Sequence, residues 1–172
     1  SRATVLLGPL LALLAGTAVA GRVAAPEDVT LLPIVFHAAL VSSSLVLAYL
    51  GLGLLVSALA NTMERAVVLA LLVWLASVAL HDFALIGLLL QWRMPAPLVF
   101  ALAAVNPVEA ARLAVLSSVD PELAVLGPVG FWIANTLGPR LAYSFGLAWP
   151  AAVGLISLWG AFRLLRARDA IR

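Results

Sequence analysis

The chain has no cysteine and no lysine. The first absence excludes disulfides, Cys-ligated zinc and iron–sulfur clusters. The second leaves arginine as the sole basic residue, at ten positions. Charge of either sign is scarce, at 10% of 172 residues, against about a quarter in a soluble domain. Catalytic signatures are missing too. No GxSxG, GxGD or HExxH occurs, and no GxxxxGK[ST], so the sequence offers no motif for an enzyme and no Walker site of its own for ATP. The basic residues form no stripe interleaved with aromatics, which argues against a nucleic-acid partner.

What is present is apolar. Hydrophobic residues make up 65% of the chain and the mean hydropathy is +1.15. Several apolar runs are long enough to cross about 30 Å of hydrocarbon, which takes roughly 20 helical residues. Four spans are expected: Ala3 to Ala20, Leu31 to Ala60, Ala66 to Leu90 and Leu141 to Leu164. Gly21 to Thr30 is a polar turn, and Asn61 to Arg65 (NTMER) a tight one. Between the third and fourth spans, Leu98 to Val105 is too short to cross alone. Asn106 to Asp120 reads as a surface helix, with Asn106 as N-cap, Pro107 at the first helical position and Glu109 completing a capping box. Arg112 is placed to pair with Glu109 at i,i+3. Glu122 to Leu137, interrupted by Gly127-Pro128 and Gly130, reads as re-entrant. Pro150 is expected to kink the last span. The fold class is therefore all-α, a polytopic membrane protein of one domain over 1–172. Six arginines, four of them in the C-terminal tail, fall on one side and four on the other, which puts both termini in the cytoplasm and 91–140 outside.

Polar groups inside the spans are the candidates for function. Asp82, directly after His81, is the lone acid of an apolar helix, and a carboxylate at that depth costs roughly 2.5–3.5 kcal/mol on insertion scales. It lies about 12 Å along the helix from Leu90, and His37 lies about 9 Å from Leu31. His37 and Asp82 therefore fall at similar depth and would pair if their helices touch. His81, the adjacent residue, and the serines of the second span, Ser42 to Ser44, are the other expected partners of Asp82. The cluster is either a tie between helices or a substrate, metal or proton site; one His and one Asp are too few for a good metal site. Asn106, Pro107, Glu109 and Arg112 form a candidate docking helix. Asn61, Glu64 and Arg65 form a candidate contact on the cytoplasmic side.

Three stretches in this order resemble ABC-2 type permeases: ATVLLGPLLALLAG (3–16), GLGLLVSALANTMERAVVLALLVWLASVALHDFALIGLLL (51–90) and LAAVNPVEAARLAVLSS (102–118). They are most similar to the permeases of Nos transporters, which serve nitrous oxide reductase maturation. Pro9 stands where the family commonly has Lys. The resemblance implies a bacterial inner-membrane subunit with two further membrane helices upstream. It implies a second permease copy, a separate ATPase subunit that binds the ATP, and no cofactor held by this chain. It further implies export, linked to copper or sulfur supply, with 91–140 meeting a periplasmic partner. Asp82, Asn106, Pro107, Glu109 and Arg112 are the residues carried over by position. The rival expectation is a non-transporting membrane scaffold or assembly factor.

Overall fold

A computed structural model describes residues 31–92 and 94–169. The expected span Ala3 to Ala20, the turn after it, Arg93 and Arg172 lie outside the described residues. Every described element is helical, and there is no strand among the described residues. The chain divides into two compact units, 1–40 and 41–172. The first unit is described only over the start of helix α1 (Leu31–Leu59), where the Phe36 and His37 rings lie 6.4 Å apart.

The second unit holds the rest of α1 and six further helices. They are α2 (Met63–Leu75), α3 (His81–Gln91), α4 (Ala96–Val105), α5 (Pro107–Val119), α6 (Gly127–Thr136) and α7 (Pro139–Asp169). A five-residue π turn, Ala76–Leu80, joins α2 to α3 into one rod. Three described helical stretches are long and apolar enough to cross a membrane: Pro33–Leu59, Met63–Leu88 and Pro139–Ala167. The pair α4 and α5, bent by 116°, makes a fourth if it is counted as one broken span.

Several boundaries differ from the sequence reading. The NTMER stretch is mostly helix: the turn ends at Thr62, whose hydroxyl accepts from Arg65 N at 3.3 Å, so Met63, Glu64 and Arg65 already belong to α2. Glu64 there faces the positive end of the helix dipole. The sharp reversal lies at Asn106-Pro107, earlier than the expected re-entrant piece at 122–137, because Pro107 disfavours helical backbone at Asn106 (φ −82°, ψ 122°). α7 extends beyond the expected Leu141 to Leu164, from Pro139 to Asp169, with Pro150 inside it.

The largest correction concerns α5. It was expected on the surface, yet Ala110, Ala111, Leu113, Ala114 and Ser117 are all buried. The cause is side-chain size. Alanines on α5 let it approach α7 so closely that a Cβ on Gly146 would collide with the Ala110 carbonyl oxygen. The α1–α7 contact uses the same device: a Cβ on Gly51 would run into the Gly154 carbonyl. Ser44, buried beside it, donates to Leu147 O at 2.6 Å. Small residues and inter-helix hydroxyl bonds are what hold apolar helices together where water does not drive association. On the far side, Leu123 is driven into a cluster with Leu113, Ile133 and Ala142. Leu123 takes φ +52°, and the Asp120 carboxylate pins its turn by accepting from Glu122 N and Ala124 N at 3.1 and 2.8 Å.

Candidate functional site: an ion cluster at the helix reversal

The site begins with the π turn. His81 N–H reaches back five residues to Ala76 O rather than four to Ser77 O. The skipped Ser77 carbonyl then needs another donor. Asn106 supplies it, with Nδ2 donating to Ser77 O at 2.5 Å. The same Asn106 caps α5, its Oδ1 accepting from Val108 N at 3.0 Å. One side chain thus ties the widened turn of the rod to the start of α5. Tyr49 of α1 adds a third element, its hydroxyl donating to Ser77 Oγ at 2.7 Å. Ser77 Oγ in turn donates to Val73 O at 2.7 Å.

Six residues beyond Asn106, Arg112 Nη1 lies 3.1 Å from Asp82 Oδ2 and 2.7 Å from Glu109 Oε1. The pairing of Arg112 with Glu109 is the i,i+3 contact expected from the spacing. The capping box is only half formed. Glu109 turns to Arg112, and Asn106 N–H bonds Ala103 O instead. A charged guanidinium outcompetes a neutral amide for a carboxylate.

The hydrogen-bonding partner of Asp82 is a correction. His81, His37 and a serine of the second span were expected; Arg112 holds it. The reversal at Asn106-Pro107 folds α5 back against the rod, and that brings residue 112 to residue 82 across thirty positions of sequence. His37 belongs to the N-terminal unit. His81 is within electrostatic reach of Glu109, and its Nε2 is buried with no hydrogen-bond partner among the described residues. Two carboxyl groups thus share one guanidinium nitrogen.

The cluster is partly open. Arg112 is 55% exposed, Asp82 31% and Glu109 20%. Arg112 lines two apolar cavities on either side of α5, one of about 360 Å³ and one of about 430 Å³. Among the described residues no group of three or more His, Cys, Asp or Glu could hold a metal ion. Asn61, Glu64 and Arg65 sit apart from the cluster, exposed at the α1–α2 turn.

Sequence reasoning placed Asp82, Asn106, Glu109 and Arg112 among the candidates but missed Ser77 and Tyr49. Both are hydrogen-bonding residues in otherwise apolar runs, and that was the available signal. No protein-family model matches the chain, and neither a curated protein nor a solved structure does.

Proposed function

We propose that the chain is the membrane-spanning permease subunit of an ABC-type exporter, driven by a separate ATPase subunit and working with a second permease copy. One observation carries the reading. Two of the stretches that resemble ABC-2 permeases, 51–90 and 102–118, meet through their own carried-over residues, Asp82 with Arg112 and Glu109. A permease must relay motion between distant ends. A rod hydrogen-bonded and ion-paired to a reversed helix supplies a rigid linkage for that relay. On this reading the α1–α2 turn, with Asn61, Glu64 and Arg65, faces the ATPase in the cytoplasm. The helices from 96 to 136 face the outer side of a bacterial inner membrane, where a periplasmic partner of metal-cofactor maturation would dock.

Co-expression with candidate ABC ATPase subunits tests the reading. The expected result is co-purification of the two subunits, weakened by Glu64→Ala combined with Arg65→Ala. Complete absence of association, with the permease folded in the membrane, would overturn the reading in favour of a non-transporting scaffold.

A further inference from the structure

We propose that the smaller cavity, between α4, α5 and α6, binds a phospholipid whose headgroup carries a primary amine. The phosphate sits on Arg112, the ammonium on Glu109, and an acyl chain enters among Phe100, Leu113, Leu116 and Ile133. The inference does not depend on the transporter reading; it concerns the cavity alone.

The argument starts from unused donors. Both ion pairs of Arg112 run through Nη1. Nε and Nη2 carry three more N–H groups, and these have no acceptor among the described residues. They share the guanidinium edge that binds phosphate bidentately. Arg112 is half exposed on a chain whose surface is rich in Leu, Val, Phe and Trp. Donors placed against apolar surroundings are costly unless an acceptor reaches them. A phosphodiester carries acceptors and arrives with its own apolar chains.

The cavity suits such a chain. Its volume, about 360 Å³, is in the range of small-molecule sites. Glu109 and Arg112 are the charged residues in its wall, and the remainder is aliphatic or aromatic. One acid beside one base complements a zwitterion. Asp82, also on Nη1, sets a second carboxylate beside Arg112, which disfavours a purely anionic head. A choline head brings positive charge but no N–H for a carboxylate. A primary ammonium brings both, so phosphatidylethanolamine fits better than phosphatidylcholine or phosphatidylglycerol.

The test is native mass spectrometry of the detergent-solubilised protein with equal amounts of the three lipids, matched in acyl chains. The ethanolamine lipid is expected to be retained roughly tenfold over each of the others, the factor a charge-assisted hydrogen bond supports. Glu109→Gln should erase the preference over choline while phospholipid still binds. Arg112→Gln should lower retention of all three. Ala103→Phe fills the cavity from its apolar wall, away from the ions, and should lower all three with helical circular dichroism unchanged. Equal retention of the three lipids by the unaltered protein, or preference for phosphatidylglycerol, would overturn the proposal. So would folded Ala103→Phe protein that keeps its phosphatidylethanolamine.

Discussion

Helices α2 and α5 are each thirteen residues long and have opposite fates. α2, MERAVVLALLVWL, carries Val, Leu and Trp over most of its length and has no buried residue. α5, PVEAARLAVLSSV, carries one Glu and one Arg as α2 does, but more alanine and two serines, and has five buried residues. In a soluble domain the more apolar helix would be the inner one. In this pair bulk hydrophobicity marks the exposed helix and small side chains the buried one. That inversion is what a lipid solvent produces, since apolar side chains gain nothing by leaving it and helices associate by close backbone approach.

The contrast breaks most severely at Gly146, where α7 meets α5. Gly146→Leu forces a side chain into the space held by the Ala110 carbonyl and the Ala114 methyl. A loss of about 3 kcal/mol is expected, the upper end of ordinary overpacking. Reversible unfolding in mixed detergent measures it. A variant as stable as the parent would mean that the α5–α7 seam is not close-packed.

Arg112→Met comes next. It keeps length and apolar bulk but leaves Asp82 and Glu109 facing one another without a cation. A loss of about 2 kcal/mol is expected, less than for a fully buried pair because all three groups retain some exposure. Asp82→Asn should be milder, since its amide oxygen still accepts from Arg112, whereas Asp82→Leu loses that bond but should stay below the Arg112→Met effect, because Arg112 keeps Glu109. Equal stability of the Asn and Leu variants would show that the contact with Arg112 contributes nothing.

How much of this was legible in the sequence follows from range. Local rules worked. Asn106-Pro107 opens a helix because the amide caps it and proline fits its first turn, and Glu109 meets Arg112 because residues three apart share a helix face. The apolar runs read as spans at 31–60 and 66–90 correspond to the helical stretches Pro33–Leu59 and Met63–Leu88. What failed was long-range. Nothing near Asp82 announces Arg112, because their contact depends on a 116° reversal between them. The burial of α5 was misread for a related reason. Its charged residues suggested a surface, while the deciding signal was the alanine spacing at 110, 111 and 114, opposite a glycine of α7 far along the chain. The π turn was invisible, since it shows only as a skipped hydrogen bond.

Asn106→Ala sharpens the comparison from the other direction, because it leaves the small-residue seam between α5 and α7 untouched and removes chiefly polar ties. The cap to Val108 N and the bond to Ser77 O go together. A loss of about 1–2 kcal/mol is expected, one helix cap plus one hydrogen bond to a carbonyl the π turn leaves free. Hydrogen exchange should rise at the start of α5 and across Ala76–Leu80 in the same variant. A rise confined to α5 would separate the π turn from the cap.

The smallest expected effect is the one that tests the inversion itself. Leu72 of α2 is 52% exposed and Leu113 of α5 is 8% exposed. Leucine to alanine at a buried site of a soluble protein costs about 2.7–5.0 kcal/mol, part transfer from water and part cavity. In lipid or detergent the transfer part vanishes, because the side chain is in an apolar medium before and after folding, and only lost packing remains. Leu113→Ala should then cost about 1–2 kcal/mol, the cavity share of that range. Leu72→Ala has little packing to lose and should stay within about 0.5 kcal/mol. The measurement is the difference between the two variants in one detergent. If Leu72→Ala proved as costly as Leu113→Ala, α2 would have to be covered by protein in the assembled state, as a second copy packed on that helix would cover it.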